Sequence, residues 1–138
     1  MSEENKAVVR RFLEEVFNNG NLAVIDELIA PGFVEHPSQP GQQPGPEGAK
    51  QAIGMFRAAF PDLRVTIDDM IAEGDRVVVR TTFTGTHQGD MMGIPPTGKQ
   101  VSLSAISIER ISGGKFVERR EQADMMGMMQ QLGVVPSS

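Results

Sequence analysis

Apolar residues recur along this chain with two different periods, and the change of period divides it into a helical first part and a strand-rich second part. Over residues 4–18, Val9, Phe12, Leu13 and Val16 fall at the i, i+3, i+4, i+7 spacing of a helix, with Glu, Lys and Arg on the other side. Gly20 stands where a helix ends and Asn21 where the next one is capped. A second helix is predicted over residues 22–30, with Leu22, Ile25, Leu28 and Ile29 on one face and Pro31-Gly32 as its stop. Phe33-Val34-Glu35-His36 reads as a short extended piece, because Pro37 steers His36 away from the helical region. Residues 37–46, PSQPGQQPGP, are a loop by composition, and Pro46 suits the first turn of a third helix with the stripe Ala49, Ile53, Phe56 and Phe60.

From Leu63 the period becomes 2. Leu63, Val65, Ile67, Asp69 and Ile71 alternate with polar partners, and Glu73-Gly74-Asp75 makes a turn. Val77, Val79, Thr81 and Phe83 follow on one face, shared with Gly85 and His87 if no bulge intervenes. After a long connection, strands over 100–111 and 115–123 flank a Gly113-Gly114 turn. Asp124 then opens a short Met-rich helix that ends near Gly133. Helices segregated from a mostly antiparallel meander predict an α+β fold in one domain over residues 1–138.

Composition narrows the function. A net charge of −5 and the absence of Trp and Tyr argue against a nucleic-acid surface. No apolar run approaches the roughly 20 residues of a membrane helix and the N-terminus is polar, so a cytoplasmic protein with no membrane partner is expected. With no Cys there is no disulfide, thiolate metal site or cysteine nucleophile. The two histidines, His36 and His87, show no paired ligand spacing, so no metal site is expected. Gly93-Ile-Pro-Pro-Thr-Gly98-Lys99-Gln100 mimics a phosphate-binding loop, but Pro95 and Pro96 delete amide donors and Gln100 replaces the metal-binding hydroxyl. Nucleotide binding is set aside.

The sharper signal is charge inside a strand, Glu118-Arg119-Arg120-Glu121, just before Asp124. Alternation puts Glu118 with Arg120 on one face and Arg119 with Glu121 on the other; the pattern does not say which face turns inward. A carboxylate drawn into an apolar cavity becomes a usable acid or base near neutral pH. Asp124 has a competing role as N-cap of the last helix.

These segments carry a resemblance. Gly85-Thr-His-Gln-Gly89, Gly93-Ile-Pro-Pro-Thr-Gly-Lys99, Gly114-Lys-Phe-Val-Glu118 and Asp124-Met-Met-Gly-Met-Met-Gln-Gln-Leu-Gly133 together resemble the SnoaL-like polyketide cyclase family, as does Phe33-Val-Glu-His-Pro37. The resemblance implies a nuclear-transport-factor-2-like fold: a cone-shaped, curved sheet closed by N-terminal helices around an apolar pocket, in a homodimer. It implies cofactor-free ring closure by intramolecular aldol condensation, with a carboxylate on the last strand as acid and base and pocket histidines assisting. Glu121 is the matching carboxylate, with Asp124 second, and His36 and His87 match histidines at the pocket mouth and wall. Where the family reads Glu-His-Trp-Asp, this chain has Glu-Arg-Arg-Glu, and the two arginines are expected to hold Glu121 ionised.

The expected catalytic set is therefore Glu121, His36, His87 and Asp124, and the expected substrate-binding set is Arg119, Arg120, Phe56, Phe83, Met91 and Met92. The expected activity is a cofactor-independent cyclase, isomerase or lyase acting on a small, largely apolar carbonyl or ester compound. Two readings compete with it: a binding module in which Arg119 or Arg120 anchors an acidic ligand, and a dimerisation domain whose pocket is filled by methionines.

Overall fold

The computed structural model describes residues 2–36 and 42–134. Helix α1 (Ser2–Phe12) runs directly into a wider-pitched π-helical segment (Leu13–Asn18), followed by α2 (Ala23–Leu28), β1 (Ile29–His36) and α3 (Gly45–Ala59). Then come β2 (Arg64–Glu73), β3 (Arg76–Thr86), β4 (Gln100–Ser112), β5 (Lys115–Ala123) and α4 (Met125–Leu132). The fold is α+β. The strands form one five-stranded mixed sheet in the order β1-β5-β4-β3-β2. β1 pairs with β5 in parallel, and the other pairs are antiparallel. The sheet is open, with β1 and β2 as its edges.

Differences from the sequence expectations lie at the helix ends. The first helix is not α-helical throughout: its last six residues widen, and Asn18 hydrogen-bonds both the N–H and the C=O of Val65 on β2. The second helix stops at Leu28, since Ala30 precedes Pro31 and is pushed towards extended backbone. β1 therefore begins four residues earlier than Phe33, at Ile29, and tolerates Pro31 because it is an edge strand. Leu22, not Asn21, occupies the N-cap of α2, with no side-chain bond. Part of the Pro-rich loop, residues 37–41, lies outside the described residues, as do residues 135–138 of the tail.

The core forms between the sheet's inner face and α1, the π-helical segment, α2 and α3. Val77, Val79, Thr81, Phe83, Gly85 and His87 share that face, as do Val101, Leu103, Ala105, Ser107, Glu109 and Ile111 of β4. The β3–β4 register is unbroken from Arg76↔Arg110 to Thr86↔Gln100. Between β4 and β5, by contrast, Ile111 faces Phe116 and Arg110 faces Glu118, so Val117 is an extra residue, a β-bulge. Phe116 is inside. Strict alternation from Phe116 would carry Glu118 and Arg120 inward, but the bulge shifts the phase and brings Arg119 and Glu121 in instead. No helix among the described residues is long and apolar enough to cross a membrane.

Candidate active site

The interior cavity is lined by Val9, Phe12, Leu13 and Phe17 from the helices, and by Val79, Thr81, Phe83, Ser107, Glu109, Phe116, Arg119 and Glu121 from the sheet. Its free volume is about 20 Å³. That is room for about one water molecule.

One arginine organises the charges in it. Arg119 is 8 % exposed, and its Nε donates to both oxygens of Glu109, at 2.7 and 3.0 Å. Its Nη1 donates to Glu35 Oε2 at 3.0 Å, across the parallel pair Glu35↔Arg119. Ser107 Oγ donates to Glu109 Oε1 at 3.1 Å, and Gln42 Nε2 donates to Glu35 Oε1 at 3.1 Å. The rings of Phe12, Phe33 and Phe116 lie 5.5, 5.7 and 5.9 Å from the guanidinium carbon, where their π-faces favour a cation. Burial works against the Arg119 charge, but Glu109, Glu35 and Glu121 outweigh it and hold the pKa above its ordinary value. Burial likewise pushes the Glu109 carboxyl up, against the pull of Arg119 and Ser107.

Glu121 is half-buried on the same wall. Its pKa is raised, chiefly by burial among apolar side chains, with Glu35 adding to the rise and Arg119 opposing it. The expectation that an arginine would lower the Glu121 pKa is therefore reversed in direction. Arg119 has Glu109 and Glu35 to neutralise, and Arg120 lies on the other face with its side chain 63 % exposed, its Nη2 3.6 Å from Glu118 Oε2.

The remaining predicted residues fall in three places. Phe83 lines the cavity, and Phe56 stacks behind it at 6.0 Å, half-buried between Phe83 and Phe60. His36 sits on the outer face, its Nε2 3.2 Å from Glu118 Oε2, and does not converge with Glu121. His87 is on the inner face but fully buried beyond the cavity lining, its ring 5.6 Å from that of Phe60. The Thr97 N–H donates to His87 Nδ1 at 3.3 Å, and the Thr97 hydroxyl lies 3.0 Å from the same nitrogen. That nitrogen acts as an acceptor, which puts the imidazole proton on Nε2, an atom with no partner among the described residues. This histidine ties down the 88–99 connection, whose Gly98 N–H and Lys99 C=O also bond its backbone.

Asp124 caps α4, its carboxylate accepting the Gly127 N–H at 2.9 Å. Met91 is buried, bridging to Ile94, and Met92 is exposed; neither lines the cavity. No methionine does, so the Met-filled pocket is not what the interior shows. Among the described residues no cluster of three or more His, Asp or Glu is arranged to hold a metal. Two carboxylates escaped the sequence reading as site residues, Glu109 and Glu35. The signal for Glu109 was present, a charged residue in phase with Val101, Leu103, Ala105 and Ile111 on an alternating strand.

The chain thus sets helices over a five-stranded sheet, with the Glu121 carboxyl on the wall of the interior cavity. Residues 7–132 match the sequence model of the SnoaL-like polyketide cyclases, and the chain belongs to that family. It is 31 % identical over 119 residues to the nogalonic acid methyl ester cyclase of Streptomyces nogalater, covering 85 % of this chain and 89 % of that one. It is 30 % identical to the aklanonic acid methyl ester cyclase DnrD of Streptomyces peucetius over 91 % of this chain and 88 % of that one. Among solved structures, TsrD from Streptomyces laurentii superposes with a TM-score of 0.88 at 31 % identity, over 96 % of this chain and 97 % of that one.

Proposed function

We propose that this protein is a cofactor-independent acid/base enzyme of the cyclase type, acting on a small, largely apolar carbonyl or ester compound, with Glu121 as the proton-transferring group. The observation that carries this is the Glu121 carboxyl on the wall of the interior cavity, beside Phe and Val side chains, with its pKa raised by burial. A carboxyl tuned towards neutrality can take a proton and return it within one turnover. In an intramolecular aldol closure, Glu121 would remove a proton from the carbon next to an ester carbonyl. That carbon would then bond to a ketone carbon elsewhere in the molecule, and Glu121 would return the proton to the resulting alkoxide. Atoms and charge balance, and the product has the substrate's mass. Thr81, a buried hydroxyl on the same wall, can donate to the ester oxygen as charge develops there.

A substrate is far larger than the free volume, so its binding requires the lining side chains to move apart. Self-association through the sheet's outer face belongs to the same proposal. Ile71, Val78, Ile106 and Ile108 are neighbours there, and the three isoleucines are exposed.

Aklanonic acid methyl ester, the compound in a relative's name, is the first substrate to offer. The expected result is an isomer of unchanged mass with one more ring, formed without added metal or nucleotide. Glu121→Gln should slow it by about 10²–10⁴-fold. An unimpaired Glu121→Gln enzyme would remove Glu121 from the chemistry.

A further inference from the structure

Two hydrogen-bond donors stand beside Glu121 on the cavity wall, and neither bonds it. Ser107 is its partner across β4 and β5, a pairing that brings side-chain Cβ atoms to about 5 Å, and Arg119 lies one step back along the same face of β5. Both are turned to Glu109 instead. Ser107 Oγ donates to Glu109 Oε1 at 3.1 Å, and Arg119 Nε donates to both Glu109 oxygens at 2.7 and 3.0 Å. Arg119 Nη1 is held from the other side by Glu35 of β1. The helices that close this wall add no ionisable group to the lining, only Val9, Phe12, Leu13 and Phe17.

We propose that Glu109 is a positioning residue for the proton transfer: by holding Ser107 and Arg119, it keeps the two nearest donors off the Glu121 carboxyl. This deepens the reading given under Proposed function and rests on it for the role of Glu121. A carboxylate that accepts from a hydroxyl or a guanidinium is stabilised in its charged form and becomes a weaker base. With both donors engaged by Glu109, burial is the larger influence on Glu121, and its pKa is raised although Arg119 opposes the rise. Burial raises the Glu109 pKa as well, and Arg119 and Ser107 pull against that rise, so the bonds that occupy the donors also favour Glu109 as their acceptor. Glu109 thereby acts through its neighbours and needs no contact with the reacting atoms.

The proposal is tested on the full-length protein without a substrate. In protein isotopically labelled at the Glu side-chain carboxyl carbon, the Glu121 NMR signal is identified by its loss in Glu121→Gln and followed against pH. Glu109→Gln should lower its titration midpoint by about one pH unit or more. A crystal structure of that variant should place Ser107 Oγ or the Arg119 guanidinium within about 3.2 Å of a Glu121 oxygen. Glu109→Asp, which keeps the charge, should return the midpoint most of the way to the wild-type value. Where turnover is measured, the acid limb of kcat/KM should move down in pH with the midpoint. Ser107→Ala carries the test if Glu109→Gln fails to fold. Its Glu121 midpoint should stay at the wild-type value, because that hydroxyl is bonded elsewhere; a midpoint that rises would put Ser107 on Glu121 and overturn the proposal. An unmoved midpoint in folded Glu109→Gln, or a lowered one with both donors still on residue 109, overturns it too. These outcomes are read without catalysis, so they stay distinct from an unimpaired Glu121→Gln enzyme, which would remove Glu121 from the chemistry itself.

Discussion

Glu121 shows how the burial of one ionisable residue can be costly to the fold. Burial raises its pKa above the value it has in the unfolded chain. A group shifted this way contributes stability that is complete below its unfolded pKa and lost as the pH rises through its folded pKa. Glu121→Gln should therefore gain stability relative to the wild type as the pH rises above the ordinary carboxylate range, and show a flatter decline of melting temperature there. Parallel thermal melts of the two proteins across that range are the check; curves that run parallel would mean that Glu121 ionises as freely in the fold as outside it. Glu109 and Arg119 behave differently because each is the other's partner. Removing one strands a buried charge, so Arg119→Leu should cost more stability than Glu121→Gln recovers. The surroundings of Glu121 could not be read from its neighbours in sequence. The nearby Arg119 suggested an ionised carboxylate, whereas Arg119 is bound by Glu109, ten residues away, and Glu35, eighty-four away.

At the level of elements, periodicity served well where a strand or helix is exposed on one side only. β3, β4 and β5 lie within a residue or so of their predicted spans, because each has one wet and one dry face. β1 was legible only in its second half, Phe33–His36: Pro31-Gly32 looks like a helix stop, and pairing with β5 makes all of Ile29–His36 a strand. The last helix was legible from both ends, with Asp124 as its N-cap and Gly133 left-handed at φ 80° beyond it. Asp124→Ala should cost about 0.5–2 kcal/mol in chemical denaturation while leaving turnover at the wild-type rate. A large loss of rate in a folded Asp124→Ala protein would return Asp124 to the catalytic set.

For the whole molecule, the sheet has one face covered by helices and one left open. The open face carries Ile71, Val78, Ile106 and Ile108 between charged flanks that include Arg80, Arg110, Glu118 and Arg120. Light scattering should find twice the chain mass at micromolar concentration, and Ile108→Lys should shift it towards the monomer, since a buried lysine would have no partner. A monomeric wild type would remove the self-association proposal. His36 and its contact with Glu118 lie on this face, away from the cavity, so His36→Ala should bear on assembly more than on chemistry.

The sequence by itself determined the fold class, the order of most elements, the α4 caps and the family, because each of these is carried by local periodicity, turn chemistry or contiguous motifs. It also supplied the two alternating charge pairs of β5. Which pair faces the interior was decided by tertiary structure alone. One extra residue at Val117 shifts the phase of the strand, and a bulge leaves no mark in the alternation of side chains that follow it. The same holds for the histidines. His36 and His87 are both close to the family's motifs in sequence, yet β1's register against β5 turns one outward, and the 88–99 connection seals the other into the core.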